Sequence, residues 1–249
     1  VSVVDFGGEG RPIVLLHGLM GRARTWWRVA QWLRPYGHVL GLDARGHGRA
    51  ARTGPWTTEQ FVADAAALVE PLGEPAVLIG HSMGALHAWS LAAAHPELAH
   101  AVVVEDMAPD QRGRTVETWR GYFDSWPMPF QSLAHVRDFF GSTGDYFTEC
   151  MTERDDGYHL MANFENLYEI AAEWGRRDYW PLVESVRCPM LIIEAENTLM
   201  PAGQQAEMAT RAPNARHLLI PNSNHVVHDS APETYRGAVE AFLSEVLIR

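Results

Sequence analysis

Apolar positions along the chain fall into short runs, separated by longer segments in which they recur every three or four residues. The runs Val1 to Phe6, Ile13 to Leu16, His38 to Leu42, Ala76 to Ile79, Ala101 to Glu105, Met190 to Glu194 and Arg216 to Ile220 read as strands. Alternation of this kind is expected of a mainly parallel, doubly wound α/β sheet with helices on both faces. Thr57 and Gln60 form a capping-box signature, and the helix they open carries Phe61, Ala65, Leu68 and Leu72 on one face until Gly73. A second helix is predicted from Met83 to His95, stopped by Pro96. The last runs from Pro232 to Ile248, with Tyr235, Val239, Phe242 and Val246 on one face.

The stretch from Pro109 to Pro181 breaks the alternation. It has no β-branched apolar run and concentrates aromatic residues, from Trp119 and Tyr122 to Tyr179 and Trp180. It reads as a helical cap, residues 110–180, inserted into a core formed by residues 1–109 and 181–249. Most of its aromatics read as ordinary packing, while a minority should line an apolar pocket beneath it.

The most specific motif is Gly80-His81-Ser82-Met83-Gly84, which follows a buried strand and precedes a helix. In that setting a sharp turn presents the serine Oγ outward, and glycine two residues to either side lets the backbone pass closely. The helix that follows aims its free N–H groups at the same spot, favouring negative charge. A serine hydroxyl needs a base, and histidine is the usual one. Among 12 histidines, His225 lies in the turn-rich segment Pro221 to His225, between the last strand and the last helix. That places it at the C-terminal sheet edge where Ser82 emerges, and it is preferred to His228 in the same loop.

Composition narrows the chemistry. All 20 basic residues of the 249 are arginine, so Schiff-base, pyridoxal-phosphate, P-loop-lysine and Ser-Lys mechanisms are excluded. A net charge of -11 disfavours nucleic acid and anionic membranes as partners and leaves small neutral or apolar molecules. Cys150 and Cys188 match no disulfide framework or metal spacing and read as buried thiols. These two thiols favour a reducing cytoplasm; no apolar run is long enough to span a membrane, and Asp5 and Glu9 stand where a signal peptide would be basic and then apolar. Gly46-His47-Gly48-Arg49-Ala50-Ala51 matches a dinucleotide fingerprint by letter, but Gly54-Pro55 follows where a helix should start, so no cofactor is expected there. No zinc-type histidine spacing occurs, and no metal is expected.

Taken together, these residues resemble the α/β-hydrolase fold superfamily over essentially the whole chain, in its serine-esterase-like branch with a helical cap inserted after the sixth strand. His17-Gly18-Leu19-Met20-Gly21 looks like the oxyanion loop of that family, and Asp43-Ala44-Arg45-Gly46-His47-Gly48 resembles its D-x-R-G-H-G turn, with Ala50 where a serine often follows. Asn224-His225 followed by Ala231-Pro232-Glu233 is similar to its histidine loop and last-helix entry. Many members carry the triad acid after the strand that follows the cap. Here that region reads Glu194-Ala195-Glu196-Asn197-Thr198-Leu199-Met200-Pro201, without aspartate. The resemblance offers a second placement one strand earlier, and Asp106 in Val104-Glu105-Asp106-Met107 fits it, with Glu196 and then Glu105 as lesser candidates. Glu105 and Glu196 otherwise read as solvent-exposed or paired with an arginine.

The resemblance implies a cofactor-independent serine hydrolase with Ser82 as nucleophile, His225 as base and Asp106 as acid. The amides of Leu19 and Met83 form the oxyanion hole, with His17 orienting the loop. Arg22 and Arg24 read as surface charges, with attraction of an anionic substrate as the lesser alternative. A small or medium ester with an apolar portion is the expected substrate. Thioesters, lactones, carbon-carbon cleavage or lyase chemistry, and a ligand receptor on this fold remain alternatives. Serine at the elbow disfavours the aspartate-nucleophile branches, and the missing lysine closes the plant hydroxynitrile lyase branch.

Overall fold

The structure, a computed structural model, describes residues 1–247; the predicted end of the last helix at Ile248 lies outside them. Strands β1 (Ser2–Gly7) and β2 (Pro12–Leu16) lead to α1 (Trp27–Leu33) and β3 (His38–Asp43). Helix α2 (Thr58–Val69), β4 (Ala76–His81), α3 (Met83–Ala94) and β5 (Ala99–Glu105) follow. After a long excursion the chain returns through β8 (Met190–Asn197), α9 (Gln204–Arg211), β9 (Ala215–Asn224), α10 (Val227–Ser230) and α11 (Pro232–Val246). The seven-stranded sheet has the order β1-β3-β2-β4-β5-β8-β9, parallel except for β1 against β3. This is the α/β-hydrolase fold.

Period-two alternation sends neighbouring strand residues to opposite faces, and both faces are covered. Ile13, Leu15, Val77, Ile79, Val103 and Ile193 pack with α1 and α11. Val14, Leu16, Leu78, Val102, Val104 and Ile192 pack with α2 and α3 on the other side. Helix α3 is buried from Met83 through Ala92, which explains its run of small and apolar residues. Thr57 caps α2 as expected by accepting the Gln60 N–H, but the Gln60 side chain turns to Asp64 instead of closing the box.

The excursion between β5 and β8 holds α4 (Val116–Phe123), α5 (Leu133–Phe140), α6 (Gly144–Glu149), α7 (Phe164–Trp174) and α8 (Trp180–Ser185). Counted along this chain it follows the fifth strand, not a sixth. It is also not purely helical: β6 (Met151–Arg154) and β7 (Gly157–Leu160) pair as an antiparallel hairpin. Helix α6 has two unlike faces. Its Asp145 meets Arg28 and Arg137, and its Glu149 meets Arg22 and Arg24 at 3.0 and 3.1 Å. Both sequence-flagged arginines are therefore engaged with a carboxylate. Between those acids, Tyr146 and Phe147 turn inward. Both cysteines are free; Cys150 is buried as expected, whereas Cys188 is only half-buried. Among the described residues no helix is long and apolar enough to cross a membrane.

Candidate active site

The turn at Ser82 is tight in every direction. Ser82 has φ +51°, and a Cβ at Gly84 would sit 2.0 Å from the Leu16 carbonyl oxygen, one at Gly80 2.3 Å from that of Gly84. Only glycine allows strand and helix to cross this closely. Ser82 is nearly buried, and its N–H donates to Glu105 O at 2.8 Å.

Three side chains from three separate strand ends meet here. Ser82 Oγ lies 2.9 Å from His225 Nε2, and His225 Nδ1 lies 2.7 Å from Asp106 Oδ2. Asp106 also has a positive φ, +47°, at the turn just after β5, and is fully buried. Four donors converge on it: Ala195 N–H and Gln205 Nε2 on Oδ1, both at 3.0 Å, and Thr198 Oγ1 at 2.9 Å beside His225 on Oδ2. Burial alone would raise its carboxyl, but the His225 bond and charge, then Ala195 and Gln205, hold it below the usual carboxylate range. An ionised Asp106 only accepts, so His225 Nδ1 carries the proton and Nε2 is left to accept from Ser82.

The loop at Gly18 passes beside the serine: a Cβ on Gly18 would lie 2.6 Å from His81 Nδ1 and 3.4 Å from Ser82 Cβ. Its peptide is held from outside. Ala44 N–H donates to His17 Nε2, so His17 Nδ1 is the donor to Gly18 O at 2.8 Å, and Gly21 N–H reaches the same oxygen. Burial pushes His17 down to about 3, which keeps it in this neutral form. In a planar trans peptide the Leu19 N–H points opposite to the anchored Gly18 carbonyl. Among the described residues neither the Leu19 nor the Met83 N–H has an intramolecular acceptor. His47 Nε2 meets the next carbonyl, Leu19 O.

The two lesser acid candidates stand elsewhere. Glu196 is exposed and accepts from Asn222 N–H, not from an imidazole. Glu105 is fully buried, against the expectation of exposure or an arginine partner, and binds His228, the rival histidine. His81, unremarked in the sequence beyond its place in the motif, donates from Nε2 to the His225 carbonyl at 2.9 Å, and burial pushes it down to about 3. Gln205 had no sequence signal, because α9 reaches Asp106 only through the tertiary fold.

Over the Ser82 hydroxyl opens a pocket of about 580 Å³, its mouth included. Leu19, Met20, Leu199, Met200 and Val226 from around the sheet edge meet Trp119, Phe123, Trp126, Tyr146, Phe147 and Trp174 from the excursion. Among the described residues no arginine lines it. The walls are braced edge to face: Trp126 stands against Phe123, Phe140 and Phe147 at centroid distances of 5.2, 4.9 and 5.5 Å.

A sharp nucleophile-type turn at the C-terminal edge of a seven-stranded, mainly parallel sheet with helices on both faces defines a class, and comparison with known proteins agrees. The model of the alpha/beta hydrolase family matches residues 13–238, and the chain belongs to that family. It is a hydrolase by its relatives as well. The sn-1-specific diacylglycerol lipase ABHD11 of Danio rerio is 36% identical over 265 residues, covering 97% of this chain and 81% of that protein. The (E)-2-((N-methylformamido)methylene)succinate hydrolase of Acinetobacter baylyi is 26% identical over 252 residues, covering 95% and 91%. The crystal structure of an E-2-(acetamidomethylene)succinate hydrolase shares the fold with a TM-score of 0.86 at 22% identity, covering 97% of this chain and 94% of the other.

Proposed function

We propose that this hydrolase is a cofactor-independent serine esterase acting through an acyl-enzyme, with residues 110–180 as a cap over its acyl pocket. The observation that carries the reading is the unbroken hydrogen-bonded line from Ser82 through His225 to Asp106. Ser82 Oγ attacks the ester carbonyl as His225 Nε2 takes its proton, and the imidazolium is stabilised by Asp106. The Leu19 and Met83 amides receive the oxyanion, where fixed donors act without reorganisation. His225 then protonates the departing alkoxide, and a water activated by the same nitrogen releases the acid.

Pocket chemistry supports an uncharged acyl chain. A dicarboxylate substrate, of the kind named for the succinate hydrolases, needs a cation to offset its desolvation. The lining beyond Ser82, His81 and His225 is apolar and aromatic, with no arginine among the described residues. The lipase relative is named for a neutral glyceride, diacylglycerol.

The test is a chain-length series of p-nitrophenyl esters beside a succinate half-ester. Rapid turnover of neutral esters with Ser82→Ala inactive is the expected result. Near-normal turnover by Ser82→Ala would overturn the nucleophile, and preference for the succinate would overturn the substrate class.

A further inference from the structure

Behind the Ser82–His225 pair, out of the pocket, one residue joins the Ser82 turn to the segment that follows His225. Glu105, the last residue of β5, accepts the Ser82 N–H on its main-chain oxygen at 2.8 Å. Its carboxylate accepts the His228 N–H at 3.0 Å and His228 Nδ1 on both oxygens at 2.8 Å. The next residue, Asp106, gives its carboxylate to His225. Two adjacent acids on one strand end thus take two imidazoles three residues apart, each through Nδ1. The turn enforced by the positive φ of Asp106 brings both acids to the same loop.

Glu105 and His228 are 0% and 5% exposed and line no part of the pocket, so neither meets substrate. Burial would push the Glu105 carboxyl up and the His228 ring down. The attraction of each for the other outweighs burial, lowering the Glu105 carboxyl and raising the His228 ring, so that both charged forms are favoured. The His228 ring stacks on Trp26 at 4.4 Å. Between the two imidazoles stands His81, 4.8 Å from His225 and 5.5 Å from His228, holding the His225 carbonyl. A buried ion pair contributes little net stability over well-packed apolar residues, so its value here must be sought in geometry.

We propose that Glu105 and His228 are a positioning pair that sets the approach of His225 to Ser82, by tying the nucleophile turn and the base loop to one strand end. The proposal rests on the reading of Ser82 and His225 given above. Misplacing a reacting pair by about 1 Å can cost roughly 10²-fold in rate.

The experiment replaces the pair by apolar groups of similar size, Glu105→Leu with His228→Phe, which keeps the stacking on Trp26. Acylation is measured per active site, titrated with a fluorophosphonate. Expected are a thermal midpoint no lower than the parent, KM within about twofold, and acylation slower by roughly ten- to a hundred-fold. A folded double variant with unchanged acylation overturns the proposal. Glu105→Gln supplies a readout independent of turnover and of whether the double variant folds. In the parent, proton NMR at low temperature should show two downfield Nδ1–H resonances, one for each acid–imidazole pair. In Glu105→Gln one should vanish and that of His225 should shift or broaden, while an unmoved His225 resonance overturns the positioning role. Ser82→Ala assayed in parallel separates the two readings, since its activity bears on the nucleophile and the resonances bear on the pair.

Discussion

Thr198 Oγ1 donates to Asp106 Oδ2 at 2.9 Å, the same oxygen that faces His225 Nδ1 at 2.7 Å. The loop after β8 thus supplies a hydroxyl to a carboxylate at the end of the neighbouring strand β5. Thr198→Val keeps the shape and removes one donor from a buried carboxylate. A hydrogen bond to a charged group contributes about 1.5 kcal/mol, so kcat should fall roughly tenfold, with recovery in Thr198→Ser.

The choice of acid has a direct measurement. Asp106→Asn should lower kcat by several orders of magnitude, roughly 10⁴ on the serine-protease precedent, whereas Glu196→Gln should leave steady-state kinetics unchanged. The reverse pattern, a large loss in Glu196→Gln with Asp106→Asn little changed, would place the acid in the later loop.

Acid should destabilise the fold well before its carboxylates protonate. His87 is buried with its ring stacked on Phe61 at 4.4 Å, and burial pushes it from 6.5 down to about 3. Below pH 6.5 the unfolded chain therefore binds a proton at this ring that the folded chain does not, and stability falls as pH drops towards 3. Each such histidine adds a slope of up to about 1.4 kcal/mol per pH unit. His87→Leu should flatten urea-unfolding free energy against pH by about one proton over pH 6 to 4. An unchanged slope would show that the ring charges inside the fold.

Trp126 braces the pocket wall, and truncating it should be felt in both stability and selectivity. Trp126→Ala should cost about 3–5 kcal/mol by the usual scale for large aromatic deletions. The best p-nitrophenyl ester should shift to a longer acyl chain, read as kcat/KM across the series. Loss of stability without that shift would make Trp126 packing alone.

Much of the frame was legible because local rules and tertiary structure agree there. The β4-turn-α3 unit could be read from its glycines, since no other residue permits the approach of Gly84 to Leu16. The hairpin at Met151–Leu160 was missed although Asp156-Gly157 is a turn signal, because its polar, half-exposed strands lack an apolar run. The burial of Glu105 could not be read at all. A charged residue at a strand end defaults to solvent, and only the fold brings His228 over it.

Helix α6 keeps its carboxylates among arginines on one side and its Tyr146 and Phe147 in the pocket on the other. Dissolved salt thus acts on the pocket wall in two opposite senses. Screening loosens the exposed ion pairs, whereas strongly excluded anions tighten apolar packing. Sodium chloride and sodium sulfate at equal ionic strength should therefore move KM for a neutral ester apart, making anion identity, rather than ionic strength alone, the solution variable to which substrate capture responds.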